Sequence, residues 1–183
     1  MNCRSRLLLS AFAAALIMLA GCGGGSDTRR SSPCAEEAGE PNAEVVELDQ
    51  LGEALAAPAE RPLRMVHIWA TWCGPCVHEF PELVALAEYP PMRQVEVLLL
   101  SADLADERAA VADFLREQGS PWNSLIADNF NEDVINLFPP DWGGAIPATF
   151  FYSRTGELLK WWSGAMSRED FERTIAELLE SEQ

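Results

Sequence analysis

Basic residues are scarce in this 183-residue chain: 13 Lys and Arg stand against 29 Asp and Glu, for a formal net charge of −16. A surface that acidic repels phosphate backbones and anionic headgroups, which sets nucleic-acid binding aside. Histidine is scarcer still, with His67 and His78 the only two. Five cysteines are too few to scaffold a chain of this length, and their odd number requires that each be assigned separately. The longest apolar run falls short of the ~20 residues that a spanning helix needs. What is present, 48% hydrophobic and 9% aromatic, is the composition of a globular domain able to bury its own core.

Arg4 and Arg6 precede an apolar run, Leu7 to Leu19, broken only by Ser10 and followed by small residues. This is the pattern of a secretory signal. The residues Leu19-Ala20-Gly21-Cys22 resemble a bacterial lipobox, whose cysteine is acylated and becomes the first mature residue. The resemblance implies a lipoprotein signal peptide over 1–21 and a lipid on Cys22. Residues 22–43, dominated by Gly, Ser, Pro and charge, read as a flexible tether with a span of roughly 25 Å. The lipid anchor would hold the domain at the cell membrane or the outer membrane, facing the periplasm or the cell exterior. Cys34 lies in this tether, as a free thiol or as a pairing partner.

A domain follows over 44–183. Glu44–Leu48 reads as an edge strand, Leu51–Ala57 as a short helix, and Leu63–Trp69 as a strand covered on both faces. A helix follows from Cys73, with Phe80, Leu83, Val84 and Ala87 as its buried stripe and Pro81 as a kink. Val95–Leu100 is a second core strand, and Glu107–Gln118 an amphipathic helix stopped by Gly119. Asn123–Asp128 and Asn131–Phe138 predict a further strand and short helix. Ala148–Tyr152 and Leu158–Trp162 flank the turn Ser153–Gly156, a hairpin. Ser167 caps a last helix, with Asp170 three residues on. The order is that of an α/β domain built on a mixed sheet.

The strongest chemical signal is Trp72-Cys73-Gly74-Pro75-Cys76, placed after a strand and opening a helix. That spacing lets both sulfurs meet across one turn. Unsatisfied N–H groups and the positive end of the helix dipole favour a thiolate on Cys73, the attacking sulfur. Cys76, one turn inside, is the resolving thiol. Gly74 gives the backbone room, and Pro75 suits the first turn because its missing N–H would have no partner there. Trp72 is expected to shield the pair on one side. A zinc site built on this CxxC needs two further ligands, and the chain offers only His67 and His78 and no other CxxC. An inert disulfide closing so short a loop gains little stability. A redox-active Cys73–Cys76 disulfide remains.

Strand, WCGPC, proline-bearing helix and a later Ile146-Pro147 before a strand resemble the thioredoxin fold. The lipobox, the Gly144–Phe150 run and the extra β-α segment near 123–138 resemble its extracytoplasmic TlpA/ResA-like branch of thiol-disulfide oxidoreductases. The resemblance implies a central mixed sheet flanked by helices, with that β-α insertion. It makes Pro147 the family's cis-proline, exposing the Ile146 backbone to an extended substrate, with Trp72, Gly74 and Pro75 completing the substrate-binding surface. Glu79, three residues after Cys76, matches an acid of this branch, which implies a partly buried carboxylate that accepts the Cys76 proton or raises its pKa; the alternative is a first-turn acid facing solvent. His67 stands where thioredoxins carry a buried Asp, either as a proton relay or as a hydrogen-bonded core histidine, which the reading favours. His78 reads as a surface residue, and Trp161, Trp162, Phe150 and Phe151 as packing. Trp142 is a candidate for the groove wall beside the active site.

The resemblance implies reduction of protein disulfides, with apocytochrome c or copper-site cysteines as substrates, and a membrane electron-donor thiol protein as the recharging partner. It implies no cofactor and no resident metal. Two alternatives share the fold. A thiol peroxidase would use Thr71, two residues before Cys73, but His67-Ile68-Trp69-Ala70 lacks the expected proline. A copper chaperone would use Cys73 and Cys76 as soft ligands, but no histidine follows residue 78.

Overall fold

A computed structural model describes residues 40–182. The expected signal peptide, Cys22, Cys34 and most of the tether lie outside the described residues. The first strand, β1, runs Ala43–Val46 and is followed by α1, Leu48–Ala56. Then come β2 (Leu63–Trp69), α2 (Gly74–Ala85), β3 (Val95–Ser101), α3 (Arg108–Glu117), β4 (Ser124–Ala127) and α4 (Glu132–Ile135). The hairpin strands β5 (Ala148–Ser153) and β6 (Leu158–Ser163) precede α5 (Arg168–Ser181). Among the described residues, no helix is long and apolar enough to cross a membrane.

The six strands form one sheet in the order β1-β4-β3-β2-β5-β6. β1, β4, β3 and β2 are mutually parallel, and β5 and β6 run antiparallel to β2 and to each other. The mixed sheet expected from the sequence is therefore present, with the Leu63–Trp69 strand inside it and buried along its whole length. Alternation along β2 sends Leu63, Met65, His67 and Trp69 to one face and Val66 and Ile68 to the other. The first face packs on α2, α3 and α5 through Phe80, Leu83, Val111, Leu115, Phe171 and Ile175. The second packs on α1 and α4 through Leu51, Val134, Phe138 and Trp142.

Three differences from the sequence reading have physical causes. The first helix starts at Leu48, one turn early, because the Gln50 side chain accepts the Glu47 N–H and the Asp49 carboxylate accepts the Gln50 N–H. The α2 stripe ends at Leu83: Ala87 falls in a 3-10 turn, Leu86–Glu88, and Glu79 joins the buried face instead. The helix expected over Asn131–Phe138 is only Glu132–Ile135, since Leu137 and Phe138 donate to carbonyls three residues back and tighten the chain toward Pro139. This short α4 presses Ile135 onto Gly144, where φ is +83° and any Cβ would come within 2.7 Å of the Ile135 Cδ1 atom. Only glycine fits that contact.

Candidate active site

β2 delivers the chain to the site, and the turn Ala70–Trp72 hands it to α2. Cys73 caps α2 in an extended conformation, and its backbone N–H donates to the Ala70 carbonyl. Cys76 N–H donates to Cys73 Sγ at 3.3 Å, one of the orphan N–H groups of the first turn finding a sulfur as its acceptor. The two cysteines form a disulfide, with S–S 2.03 Å and Cα–Cα 5.2 Å. Cys73 keeps 6% exposure and Cys76 none, so an incoming group reaches Cys73 first. Pro75 sits in the first turn, and Gly74 and Pro75 are both exposed.

The Ile146–Pro147 bond is cis, and the Ile146 carbonyl oxygen lies 3.8 Å from Cys73 Sγ. Ile146 is half-buried and Pro147 buried. The loop is fixed from behind: the Ala145 carbonyl accepts from Trp142 Nε1 at 2.9 Å and from the Ser163 hydroxyl at 3.1 Å. Trp142 is thus not a groove wall. It is 2% exposed and packs edge-on against Phe138 and Phe150, in the core on the α1 and α4 side of the sheet. Trp72, expected as a shield, is 64% exposed and open to whatever docks.

Asp103 is a site residue that the sequence reading missed. Its carboxylate is buried and accepts from the Thr71 N–H at 3.0 Å, from the Thr71 hydroxyl, and from the Ser101 hydroxyl at 2.5 Å. It fastens the turn before Cys73 to the end of β3. The Ser101-Ala102-Asp103 pattern after a core strand was the available signal, since Asp103 N–H also bonds back to Ser101 Oγ. Asp103→Ala leaves the Thr71 N–H without an acceptor, and we expect it to cost about 3 kcal/mol of stability. Urea unfolding of the oxidised protein checks this; an unchanged midpoint would remove the clamp from the account.

One turn after Cys76, α2 carries Glu79, which is buried with His67 of β2. Glu79 is 2% exposed, so the solvent-facing alternative does not hold. Its Oε1 accepts from Met166 N–H at 2.8 Å, while its Oε2 has no hydrogen-bond partner. His67, 1% exposed, shares a hydrogen bond between Nδ1 and Thr149 Oγ1 at 2.9 Å, as a core histidine should. Its Nε2, however, is unpartnered and faces Glu79 Oε2 at 3.8 Å. Burial pushes the Glu79 carboxyl up to about 7, partly opposed by the Met166 N–H. Burial also drives the His67 imidazole down to about 3, so the ring is neutral at ordinary pH. His78 is exposed, as expected. Phe150 and Phe151 are core, and Trp161 and Trp162 pack on them.

A disulfide at a helix start, with one sulfur at the surface and the other buried, and a buried carboxyl raised to about 7 are an arrangement that could exchange a disulfide. Comparisons with known proteins agree with that chemistry. A "Thiol:disulfide interchange protein DsbE homolog" of Paracoccus denitrificans is 36% identical over 110 residues, 60% of this chain and 55% of the relative. "Thiol:disulfide interchange protein HelX" of Rhodobacter capsulatus is 31% identical over 118 residues, 64% of this chain and 61% of the relative. "Thiol-disulfide oxidoreductase ResA" of Geobacillus kaustophilus is 28% identical over 110 residues, 60% of this chain and 59% of the relative. The chain thus spans between about half and two thirds of the length of these relatives. Among solved structures, StoA from Bacillus subtilis superposes with a TM-score of 0.51 at 22% identity, over 63% of this chain and 84% of that one. At that identity the likeness concerns the thioredoxin-like fold. The AhpC/TSA family model matches residues 41–160, most of the 183, and so takes in both sulfurs, Glu79 and Pro147; this chain belongs to the AhpC/TSA family.

Proposed function

We propose that the chain is a lipid-anchored, extracytoplasmic thiol-disulfide oxidoreductase that reduces protein disulfides. The observation that carries this reading is the Cys73–Cys76 pair at the start of α2, with the Cys76 N–H on Cys73 Sγ. In the reduced domain, the Cys73 thiolate attacks one substrate sulfur, the other substrate sulfur leaves as a thiolate, and a mixed disulfide forms. Cys76 gives its proton to Glu79 and attacks Cys73 Sγ, releasing the second substrate sulfur. Two electrons pass to the substrate and the domain is left oxidised. A dithiol protein at the membrane recharges it by the reverse exchange.

Ile146 and Pro147, with Trp72, Gly74 and Pro75, form the surface on which an extended segment of substrate lies. The names of the relatives support thiol-disulfide exchange as the reaction, and the lipobox-like residues support Cys22 as the anchor, with 1–21 removed and 22–43 as tether. Apocytochrome c and copper-site cysteines are the substrates we assign. The peroxidase alternative is weakened because the Thr71 hydroxyl donates its one proton to Asp103.

The experiment is capture: a Cys76→Ala variant, unable to resolve, holds its substrates on Cys73 as mixed disulfides. Recovery of cytochrome or copper-assembly thiols is expected. Recovery of general folding substrates would turn the reading toward an oxidase or isomerase. Peroxide turnover in the absence of any protein disulfide would replace it with the peroxidase.

A further inference from the structure

Among the described residues, only three buried side-chain polar atoms lack a hydrogen-bond partner: His67 Nε2, Glu79 Oε2 and Trp162 Nε1. They are not scattered. His67 pairs with Thr149 across β2 and β5, and Thr149 pairs with Trp162 across β5 and β6, so His67, Thr149 and Trp162 form one row of the sheet, with Glu79 reaching His67 from α2. Phe171 of α5 touches both His67 and Trp162. Unpaired polar atoms inside a protein are costly, and two of these face each other. At 3.8 Å, His67 Nε2 and Glu79 Oε2 are about 1 Å beyond a hydrogen bond, within the reach of a small side-chain adjustment or of one bridging water.

Their chemistry has two complementary solutions. With Glu79 ionised, the neutral imidazole carries its proton on Nε2, directed at the carboxylate, and Nδ1 accepts from the Thr149 hydroxyl. With Glu79 protonated, the carboxyl donates to Nε2, and the imidazole carries its proton on Nδ1 and donates to Thr149 Oγ1. A hydroxyl serves either arrangement because it is both donor and acceptor. The ring keeps one proton throughout, and the pair as a whole gains or loses one.

We propose that His67 and Glu79 are a buried one-proton couple, in which the imidazole switches tautomer as Glu79 changes protonation and Thr149 reverses its hydrogen bond to follow. His67 is in this account a positioning residue for the proton that Cys76 releases; the proposal rests on the oxidoreductase reading for its use, though not for its existence. The exchange with water runs on the other side of Glu79, which lines a groove of about 420 Å³ together with His78, Glu82, Met166, Ser167 and Glu169. The titratable groups around Glu79 are accordingly His67 from β2, Cys76, His78 and Glu82 from its own helix, and Glu169 from α5 across the groove.

The test uses the oxidised full-length chain with nitrogen-15 histidine, where only two rings give signals and a His78→Gln variant leaves His67 alone. Expected is a ring that never becomes imidazolium between pH 5 and 9, whose proton moves from Nδ1 to Nε2 with a midpoint near 7, where Glu79 titrates. In Glu79→Gln, the side-chain amide donates to Nε2 at every pH and the ring stays Nδ1-protonated. A single tautomer unaffected by pH, or an imidazolium forming near its ordinary pKa of 6.5, overturns the proposal. In the reduced protein, His67→Leu removes the donor to the carboxylate and raises the Glu79-linked midpoint of Cys76 alkylation by about one pH unit, a tenfold change in ionisation. A midpoint unmoved in that variant also overturns it. If substrate capture fails while the tautomer switch is seen, the oxidoreductase reading falls and the couple stands.

Discussion

Cys73→Ser brings catalysed reduction of a protein disulfide down to the uncatalysed background, whereas Cys76→Ser keeps a reactive Cys73 that accumulates mixed disulfides. The two sulfurs are three residues apart, yet their surroundings differ. Cys73 stands at the mouth of α2, where the helix dipole and the Cys76 N–H both stabilise negative charge on sulfur. A thiol with an ordinary pKa of 8.5 is about 3% ionised at pH 7, and one lowered to 7 is about half ionised. A serine hydroxyl in the same place does not ionise at all. Cys76 has no exposed surface, so it cannot begin the exchange and is needed only to complete it. Turnover with insulin, and the mass of the trapped species, check both halves. Equal loss in the two variants without any trapped species would contradict the division of labour.

Glu79→Gln makes the oxidised protein more stable at pH 8 and leaves its stability nearly unchanged below pH 4.5. The folded protein holds the Glu79 carboxyl at about 7, above its unfolded value of 4.5. A group raised in this way favours the folded state fully below 4.5, and that contribution is lost as the pH climbs through 7. The shift corresponds to about 3 kcal/mol, which the neutral amide does not forfeit. In melting temperature this is about 6–12 °C for a domain of this size. His67 works in the opposite sense. Its pKa is held down at about 3, so its contribution is complete above 6.5 and is lost as the pH falls toward 3. Melting curves of the wild type and the variant across pH 4 to 8 separate the two limbs. A gap between the proteins that does not grow with pH would mean that Glu79 is not held neutral by burial.

Much of the fold is legible in the order of residues because its signals are local. The near-continuous apolar run Leu63–Trp69 announces a strand covered on both faces, Ser167 announces the cap of α5, and Gly156 announces the β5–β6 turn. Cys73 and Cys76 are legible for the same reason: strand, turn, helix start and CxxC all fall between Leu63 and Cys76. The polar interior is different. Whether His67 meets Glu79, and whether Asp103 meets Thr71, depends on which strand lies beside which, and periodicity carries no such information. His67 read as a satisfied core histidine, and half of it is: Nδ1 is bonded and Nε2 is not. Trp142 misled for a related reason. Its neighbours in sequence belong to the active-site loop, while its ring belongs to the core around Phe138 and Phe150.

In the reduced protein, Cys73 is expected to ionise more readily than an ordinary thiol because of its place at the start of α2. The most direct measurement is the pH dependence of alkylation in the reduced full-length chain, with the modified residue identified by mass. The account predicts that Cys73 is labelled first and that its rate titrates well below the ordinary thiol value of about 8.5. A rate that titrates near 8.5, or labelling that begins on Cys76, would contradict it.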